Sequence, residues 1–225
     1  YENVAVSGWA VTNTETSGRG QIVTQLDRAT KSDYDFVILE GGVNDVRIDQ
    51  DPQNPDIKID WGTINEDPNA TFSDDNIAGA MQDLIVKTQA KFPNAKIVYI
   101  INHYYGATET NMKNYVAMVK AACRVHGISY IDLSDAEAYP SLEPLTKKNT
   151  DYIPDNLHPN AAGYDLSTPV IATQLRKMLT DLGYTFYSQT DTEVIPNLIH
   201  YYYLNDKNND DSRLLRAVKN TCKDL

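Results

Sequence analysis

The sequence predicts an α/β protein, a three-layer α/β/α sandwich with a mainly parallel, flavodoxin-like sheet. Short runs of apolar and β-branched residues alternate with longer segments of helical periodicity. One run, Ile97–Ile101, has almost no polar alternation, which is typical of a parallel strand buried on both faces. Repeated β-α units imply right-handed crossovers, with helices covering the sheet.

The elements follow one another with turn and cap signals between them. Gly127 and Gly183 stand where helices commonly end, and Phe92-Pro93-Asn94 separates a helix from the next strand. We predict strands over residues 3–6, 36–40, 97–101 and 129–133, and helices over residues 20–29, 111–126 and 166–182. A further helix is predicted to begin at a cap, Asp74 or Asp75, and to end at Ala90.

Two segments do not fit this alternation. Arg47–Ser73 is long and rich in Asp, Asn and Pro, which is typical of a lid, a binding loop or a disordered segment, and we expect it to set substrate specificity. In the tail, residues 198–204 are apolar enough for a strand and residues 213–225 have a helical pattern. We therefore predict a main domain over residues 1–183 and a C-terminal extension, 184–225, that packs on the sheet or completes it.

Composition excludes several functional classes. The 225 residues carry a net charge of -11, which disfavours binding to nucleic acid or to anionic membranes because phosphates attract clustered Lys and Arg. No run approaches the roughly 20 apolar residues that span a bilayer. The two cysteines, Cys123 and Cys222, do not have metal-ligand spacing. We expect neither a metal nor a cofactor, and secreted and cytoplasmic locations both stay open.

Polar residues that suit acyl chemistry follow the predicted strands. Gly8, Asn44 and His103 each come within a few residues of the end of a predicted strand, where parallel sheets bind ligands. Asn44 could donate to a developing oxyanion, and Asp155 stands three residues before His158, as an orienting carboxylate would. The same residue types also favour ordinary turns. Taken together they predict ester or acyl hydrolysis.

Three short motifs carry a resemblance to one hydrolase family. Residues 3–8, Asn-Val-Ala-Val-Ser-Gly, precede Gly42-Val43-Asn44-Asp45, and Asp155-Asn156-Leu157-His158 comes last. In this order and spacing they resemble the SGNH hydrolases, also called the GDSL esterase/lipase family, over roughly residues 1 to 182. The resemblance implies that His158 is the general base and Asp155 its orienting partner. It also implies that the Gly8 N–H and the Asn44 amide line the oxyanion hole.

The serine that such a family places on the first strand is absent from its usual N-terminal place, together with the whole first β-α unit. The chain could be a fragment of a longer protein, or an inactive relative that binds without cleaving. Thirdly, the tail could supply the missing strand and helix, which makes Ser212 a nucleophile candidate. Ser7 is adjacent to Gly8, but in the family that position is not the nucleophile.

The remaining site candidates would line the substrate pocket. They are Trp9, Asp45 and His103, and a packing or structural role is an alternative for Trp9 and His103. The predicted substrate is a small-molecule, glycan or lipid ester, such as an acetylated sugar, a short-chain ester or a lysolipid. The alternative function is a non-catalytic binding module for glycans or esters on the same fold. A nucleotide binder is disfavoured, since no Gly-rich phosphate loop follows a strand.

Overall fold

The computed structural model divides the chain into two compact units. One covers residues 2–173, and the other covers residues 174–225. The predicted domain boundary between residues 183 and 184 stays a prediction. The structure describes residues 2–13, 20–47, 58–102, 107–146, 149–155, 157–181, 183, 185, 194–206, 210 and 212–224.

A parallel sheet forms the centre of the first unit. Its strands are β1 (Phe36–Glu40), β2 (Lys96–Ile101) and β3 (Ser129–Asp132), in the order β1-β2-β3. Both pairings are parallel, with Leu39 opposite Tyr99. The α/β class and the parallel sheet are confirmed, and the three strands lie within a residue of their predicted bounds.

Two long helices connect these strands. Helix α1 (Ile77–Lys91) begins at Asn76, whose side chain accepts a hydrogen bond from the Gly79 N–H. The predicted cap at Asp74 or Asp75 is therefore wrong, and Asp75 instead accepts a hydrogen bond from the Ser73 hydroxyl. Helix α2 (Glu109–His126) is capped by Thr108 and ends, as predicted, at Gly127 in the left-handed conformation.

The central strand is buried on both faces. Tyr99 and Ile101 point into the core that α1 and α2 share, and both are fully buried. The alternate residues Val98 and Ile100 point to the opposite face and are buried as well. A strand with no exposed face explains why its sequence shows so little polar alternation.

The predicted first strand is wrong. Residues 3–6 make no strand pairing in the part of the chain that the structure describes. Their neighbour Glu2 accepts hydrogen bonds from the Thr30 N–H and the Tyr34 hydroxyl instead.

The predicted helix over residues 20–29 is a 3-10 helix, Ile22–Arg28. On β1, Ile38 is half exposed, and among the described residues only β2 pairs with this strand.

The last part of the first unit has its own apolar centre. Leu142 and Leu145, from a 3-10 helix over Pro140–Leu145, are fully buried, as is Ile153. Helix α3 (Ala161–Asp181) begins in the first unit, five residues before its predicted start, because the Asn160 side chain accepts the Gly163 N–H. Its residues from 174 onward belong to the second unit. The helix ends near Gly183, which has a φ of +90°.

The second unit contains a pair of helices. They are α4 (Val194–Asn205) and α5 (Arg213–Asp224), and they pack against each other. The predicted strand over residues 198–204 is therefore wrong. Arg213 donates to the Tyr203 and Leu204 carbonyls at the end of α4, which satisfies acceptors that a helix leaves free.

In the described part of the chain, no helix is long and apolar enough to cross a membrane.

Candidate active site

The turn after β1, residues 41–46, carries Asn44, and hydrogen bonds from core side chains hold it in place. The Tyr99 hydroxyl donates to the Gly41 carbonyl at 3.1 Å, and the Tyr115 hydroxyl donates to the same oxygen. Asn111 on α2 donates to the Val46 carbonyl at 3.1 Å. Burial raises the pKa of both phenols, so both stay protonated donors. The turn is thus held at both ends.

Gly42 shows how tightly this turn is packed. Its φ of +91° lies in the region that favours glycine. A Cβ placed there would come within 2.5 Å of the Tyr115 ring and 3.0 Å of the Met81 methyl group. A side chain at this position would therefore be strained and would push the turn away from the core.

The segment Gly8–Thr12, which we call the strap, lies against this turn. The Asn44 Nδ2 donates to the Trp9 carbonyl at 2.9 Å. One N–H of the Asn44 amide therefore remains for another acceptor. Gly8 has a φ of +80°, and a Cβ built on it would meet nothing within 4 Å. Open space thus lies beside the residue whose N–H is the second predicted oxyanion donor.

The predicted base and orienter are in direct contact. The His158 Nδ1 lies 2.7 Å from the Asp155 Oδ2. The Asp155 Oδ1 accepts the Leu157 N–H at 2.9 Å and the His158 N–H at 2.7 Å. Both side chains are exposed, at 67% for His158 and 54% for Asp155. With Nδ1 carrying the proton toward Asp155, the Nε2 of a neutral ring is a proton acceptor.

These contacts set the charge of Asp155. The backbone N–H of His158, its ring and the N–H of Leu157 hold the pKa of this carboxyl well below its usual range. All three favour the charged form because they bring positive dipole or charge toward the oxygens. Asp155 is therefore ionised at neutral pH, and it can stabilise the imidazolium that forms when the ring takes a proton.

Asp45 does not occupy the predicted position in the pocket lining. Its side chain is only 3% exposed, and its carboxylate accepts hydrogen bonds from the strap residues Val11 and Thr12. Burial raises the pKa of Asp45, while these bonds oppose the rise. The predicted substrate-lining role is therefore wrong for Asp45. Its carboxylate is buried and binds other residues of the protein instead.

The indole of Trp9 packs against the backbone at Gly20. A Cβ on Gly20 would come within 2.3 Å of the indole ring. This close approach favours the packing role that the sequence left open, and Trp9 is half-buried. Its place in a substrate pocket stays a prediction.

For two further candidates the structure gives no support. His103 lies outside the described residues. Ser212 is exposed in the second unit, where its N–H donates to Asp210 at 2.8 Å just before α5. The strand that would have preceded it is helical, so the argument for Ser212 as the nucleophile loses its basis. Ser7 lies in an exposed turn.

The structure therefore provides two local groups. Asn44 and the strap form one, and Asp155 with His158 forms the other. Among the described residues, the His158 ring has Asp155 as its hydrogen-bond partner. Within that same part of the chain, no hydrogen bond links this pair to Asn44 or the strap. The described residues also contain no cluster of three or more His, Cys, Asp or Glu side chains that could hold a metal ion.

Sequence reasoning missed the residues that support the turn. Thr12 donates its hydroxyl to Asp45 at 2.5 Å, and Tyr99, Tyr115 and Asn111 anchor the turn from the sheet and α2. Asn111 at a buried helix position was the available signal, because a buried amide needs hydrogen-bond partners. The partner itself lies 65 residues away in sequence, which no local pattern reveals.

Comparison with solved structures supports the fold. A protein from Lactobacillus plantarum shares 18% identity, with a TM-score of 0.56 over 78% of this chain and 80% of that chain. A protein from Bacteroides ovatus, described as a GDSL-like lipase, shares 18% identity with a TM-score of 0.47, a similarity too weak to count toward the fold. Its alignment covers 76% of this chain and 68% of that chain. The similarity to the Lactobacillus plantarum protein, at 18% identity, shows the fold alone.

Short stretches also match curated proteins. Over 33 residues, 15% of this chain, it is 61% identical to the glutamine–fructose-6-phosphate aminotransferase of Clostridium tetani. The match spans only 5% of that enzyme, so no activity is transferred from it. The sequence model of the GDSL-like lipase/acylhydrolase family, in contrast, matches residues 1–166, most of the first unit. The chain therefore belongs to the GDSL-like lipase/acylhydrolase family.

Proposed function

We propose that this protein hydrolyses carboxylic esters through an acyl-enzyme, with His158 as the general base. Membership of the family places it among hydrolases of the SGNH type. The observation that carries the proposal for this chain is the contact between Asp155 and His158 at 2.7 Å. A carboxylate on Nδ1 fixes the ring and leaves Nε2 to take the proton of a nucleophilic hydroxyl.

In this proposal the Asn44 amide and the Gly8 N–H stabilise the tetrahedral oxyanion. The second N–H of Asn44 and the open space beside Gly8 support these roles. Each such donor contributes about 3 kcal/mol to the transition state. The nucleophile is a serine whose hydroxyl must reach the Nε2 of His158. Mass-spectrometric mapping of a fluorophosphonate adduct on the full-length gene product identifies it.

Kinetics of the full-length gene product test the role of His158. We expect hydrolysis of p-nitrophenyl acetate, and a loss on the order of a thousandfold or more in kcat for His158→Ala. Asp155→Asn removes the carboxylate that favours the Nδ1–H tautomer, and we expect a loss of similar order. His200→Ala is the matched control, since His200 is an exposed histidine on α4. Equal rates in all four proteins would refute the proposal.

The substrate class is part of the proposal. Acetylated sugars, short-chain esters and lysolipids all present a carboxylic ester to such a site. Rates on acetylated xylo-oligosaccharide, p-nitrophenyl butyrate and lysophosphatidylcholine rank the three classes. The alternative is a binding module. It predicts no turnover of any ester, and binding of an acetylated glycan that His158→Ala leaves unchanged.

A further inference from the structure

Asp45 is a buried carboxylate whose bonds to residues distant in sequence all go to one short segment. Its Oδ2 accepts the Val11 N–H at 3.0 Å, and its Oδ1 accepts the Thr12 N–H at 3.0 Å and the Thr12 hydroxyl at 2.5 Å. A carboxylate removed from water is costly unless it is hydrogen-bonded. Here three of its donors belong to the strap.

The strap's other end is held by the neighbouring residue. Asn44 donates to the Trp9 carbonyl, so Asn44 and Asp45 together hold the strap backbone at residues 9, 11 and 12. The two residues are adjacent on a turn that Tyr99, Tyr115 and Asn111 anchor to the core. This rigid turn therefore supports the strap on one side, and the Ala10 backbone also pairs with Gly20 and Ile22.

We propose that Asp45 is a positioning residue, which holds the strap so that the Gly8 N–H and the free Asn44 N–H face one oxyanion. This inference rests on the proposed function for its catalytic meaning. Asp45 touches no substrate in this account. It acts through Val11 and Thr12, and the Gly8 N–H lies only three residues before the first of these contacts.

The effect of losing this carboxylate follows from its donors. In Asp45→Asn one oxygen becomes an NH2 group, which faces an N–H or hydroxyl donor instead of accepting from it. The strap must then shift to avoid an unmet donor. Since a misplacement of about 1 Å can cost about a hundredfold in rate, we expect kcat to fall by about tenfold to a hundredfold. KM should change less than kcat, because Asp45 itself is buried and the oxyanion forms only in the transition state.

Thr12 offers a milder perturbation that does not remove the carboxylate. Thr12→Val deletes the hydroxyl bond and keeps both backbone bonds, so the rate should fall by less than in Asp45→Asn. Thr12→Ser keeps the hydroxyl and should retain more activity than Thr12→Val. Thr24→Val is the matched control, because the exposed Thr24 hydroxyl donates only to the nearby Gln21 carbonyl.

Hydrogen exchange by NMR tests the positioning directly and needs no activity. In Asp45→Asn we expect the Val11 and Thr12 amides to exchange at least about tenfold faster. The Gly8 amide and the Asn44 side-chain NH2 resonances should also shift. Thr24→Val should leave all four unchanged. Unchanged exchange and shifts in Asp45→Asn would overturn the inference. Should that variant fail to fold, Thr12→Val takes its place, with the same signs and smaller changes.

Kinetics then separate the inference from the proposed function. If the wild-type protein and His158→Ala are equally inactive, the proposed function fails, and the exchange data still decide whether Asp45 holds the strap. If His158→Ala loses activity while Asp45→Asn keeps its kcat, the inference fails and the function stands. A fall in kcat at constant KM, with Thr12→Ser above Thr12→Val, supports both.

Discussion

Replacing Asn44 by alanine should damage catalysis far more than stability. The side chain makes one recorded hydrogen bond, from Nδ2 to the Trp9 carbonyl at 2.9 Å. Losing a bond of this kind costs about 1 kcal/mol of folding free energy. A domain is typically stable by about 5–15 kcal/mol, so the variant should stay folded.

The catalytic loss is larger because the second N–H of Asn44 would bind the oxyanion only in the transition state. Removing one such donor costs about 2.7–4 kcal/mol, which corresponds to a fall of about a hundredfold to a thousandfold in kcat. The assay is steady-state hydrolysis of p-nitrophenyl acetate by the full-length gene product, with a urea titration of each variant. A destabilisation of about 1 kcal/mol cannot produce such a fall through unfolding.

Asn94→Ala provides the matched control, because Asn94 lies in the exposed turn between α1 and β2. It should leave both kcat and the free energy of unfolding near the wild-type values. The reasoning is refuted if Asn44→Ala keeps its kcat within about threefold of wild type, because the donor would then contribute less than about 1 kcal/mol.

Four further predictions concern stability and titration. Burial lowers the pKa of His126, so the unfolded chain binds a proton on this ring more tightly than the folded protein does. The free energy of unfolding should therefore fall as the pH drops below about 6.5. Urea titrations across that pH range check this, and His126→Gln should flatten the pH dependence. Burial raises the pKa of the Cys123 thiol to about 12, so in a Cys222→Ser background a thiol reagent should label it only as the protein unfolds. Gly42→Ala should destabilise the protein by about 1–3 kcal/mol in urea, since its Cβ would meet Tyr115. The Asp155 carboxyl should titrate by NMR well below the ordinary value of about 3.9, and His158→Ala should move its pKa upward, because one of its hydrogen-bond donors is lost.

The parallel sheet could be predicted because its sequence signals are local. Residues 36–40 are β1 as predicted, and β2 differs from its predicted bounds by one residue. A strand buried on both faces must be apolar throughout, and few other elements share that pattern. Gly127 likewise identified the end of α2, because the left-handed conformation found there favours glycine.

The two wrong strands have a common cause. Residues 3–6 and 198–204 are apolar and rich in β-forming residues, but a strand exists only when another strand pairs with it. Among the described residues, 3–6 has no strand beside it. Residues 198–204 instead lie in α4, whose end is capped by Arg213, ten residues beyond Tyr203. Short apolar runs cannot be assigned by periodicity alone.

The site could be predicted only where its contacts are local in sequence. Asp155 and His158 are three residues apart, and their contact follows from a short turn. The bonds from Asn44 to Trp9 and from Asp45 to Val11 span 35 and 34 residues. Such contacts depend on the whole fold. For that reason the sequence predicts a place in the substrate pocket for Asp45, whereas in the structure its carboxylate is buried.

The central claim is that His158, oriented by Asp155, activates a serine. Intact-mass spectrometry after treatment with a fluorophosphonate probe tests it most directly, on the full-length gene product and its His158→Ala variant. The account predicts a single adduct on the wild-type protein, at one serine, and at least about a hundredfold slower labelling of the variant. Labelling of the variant at the wild-type rate would contradict it.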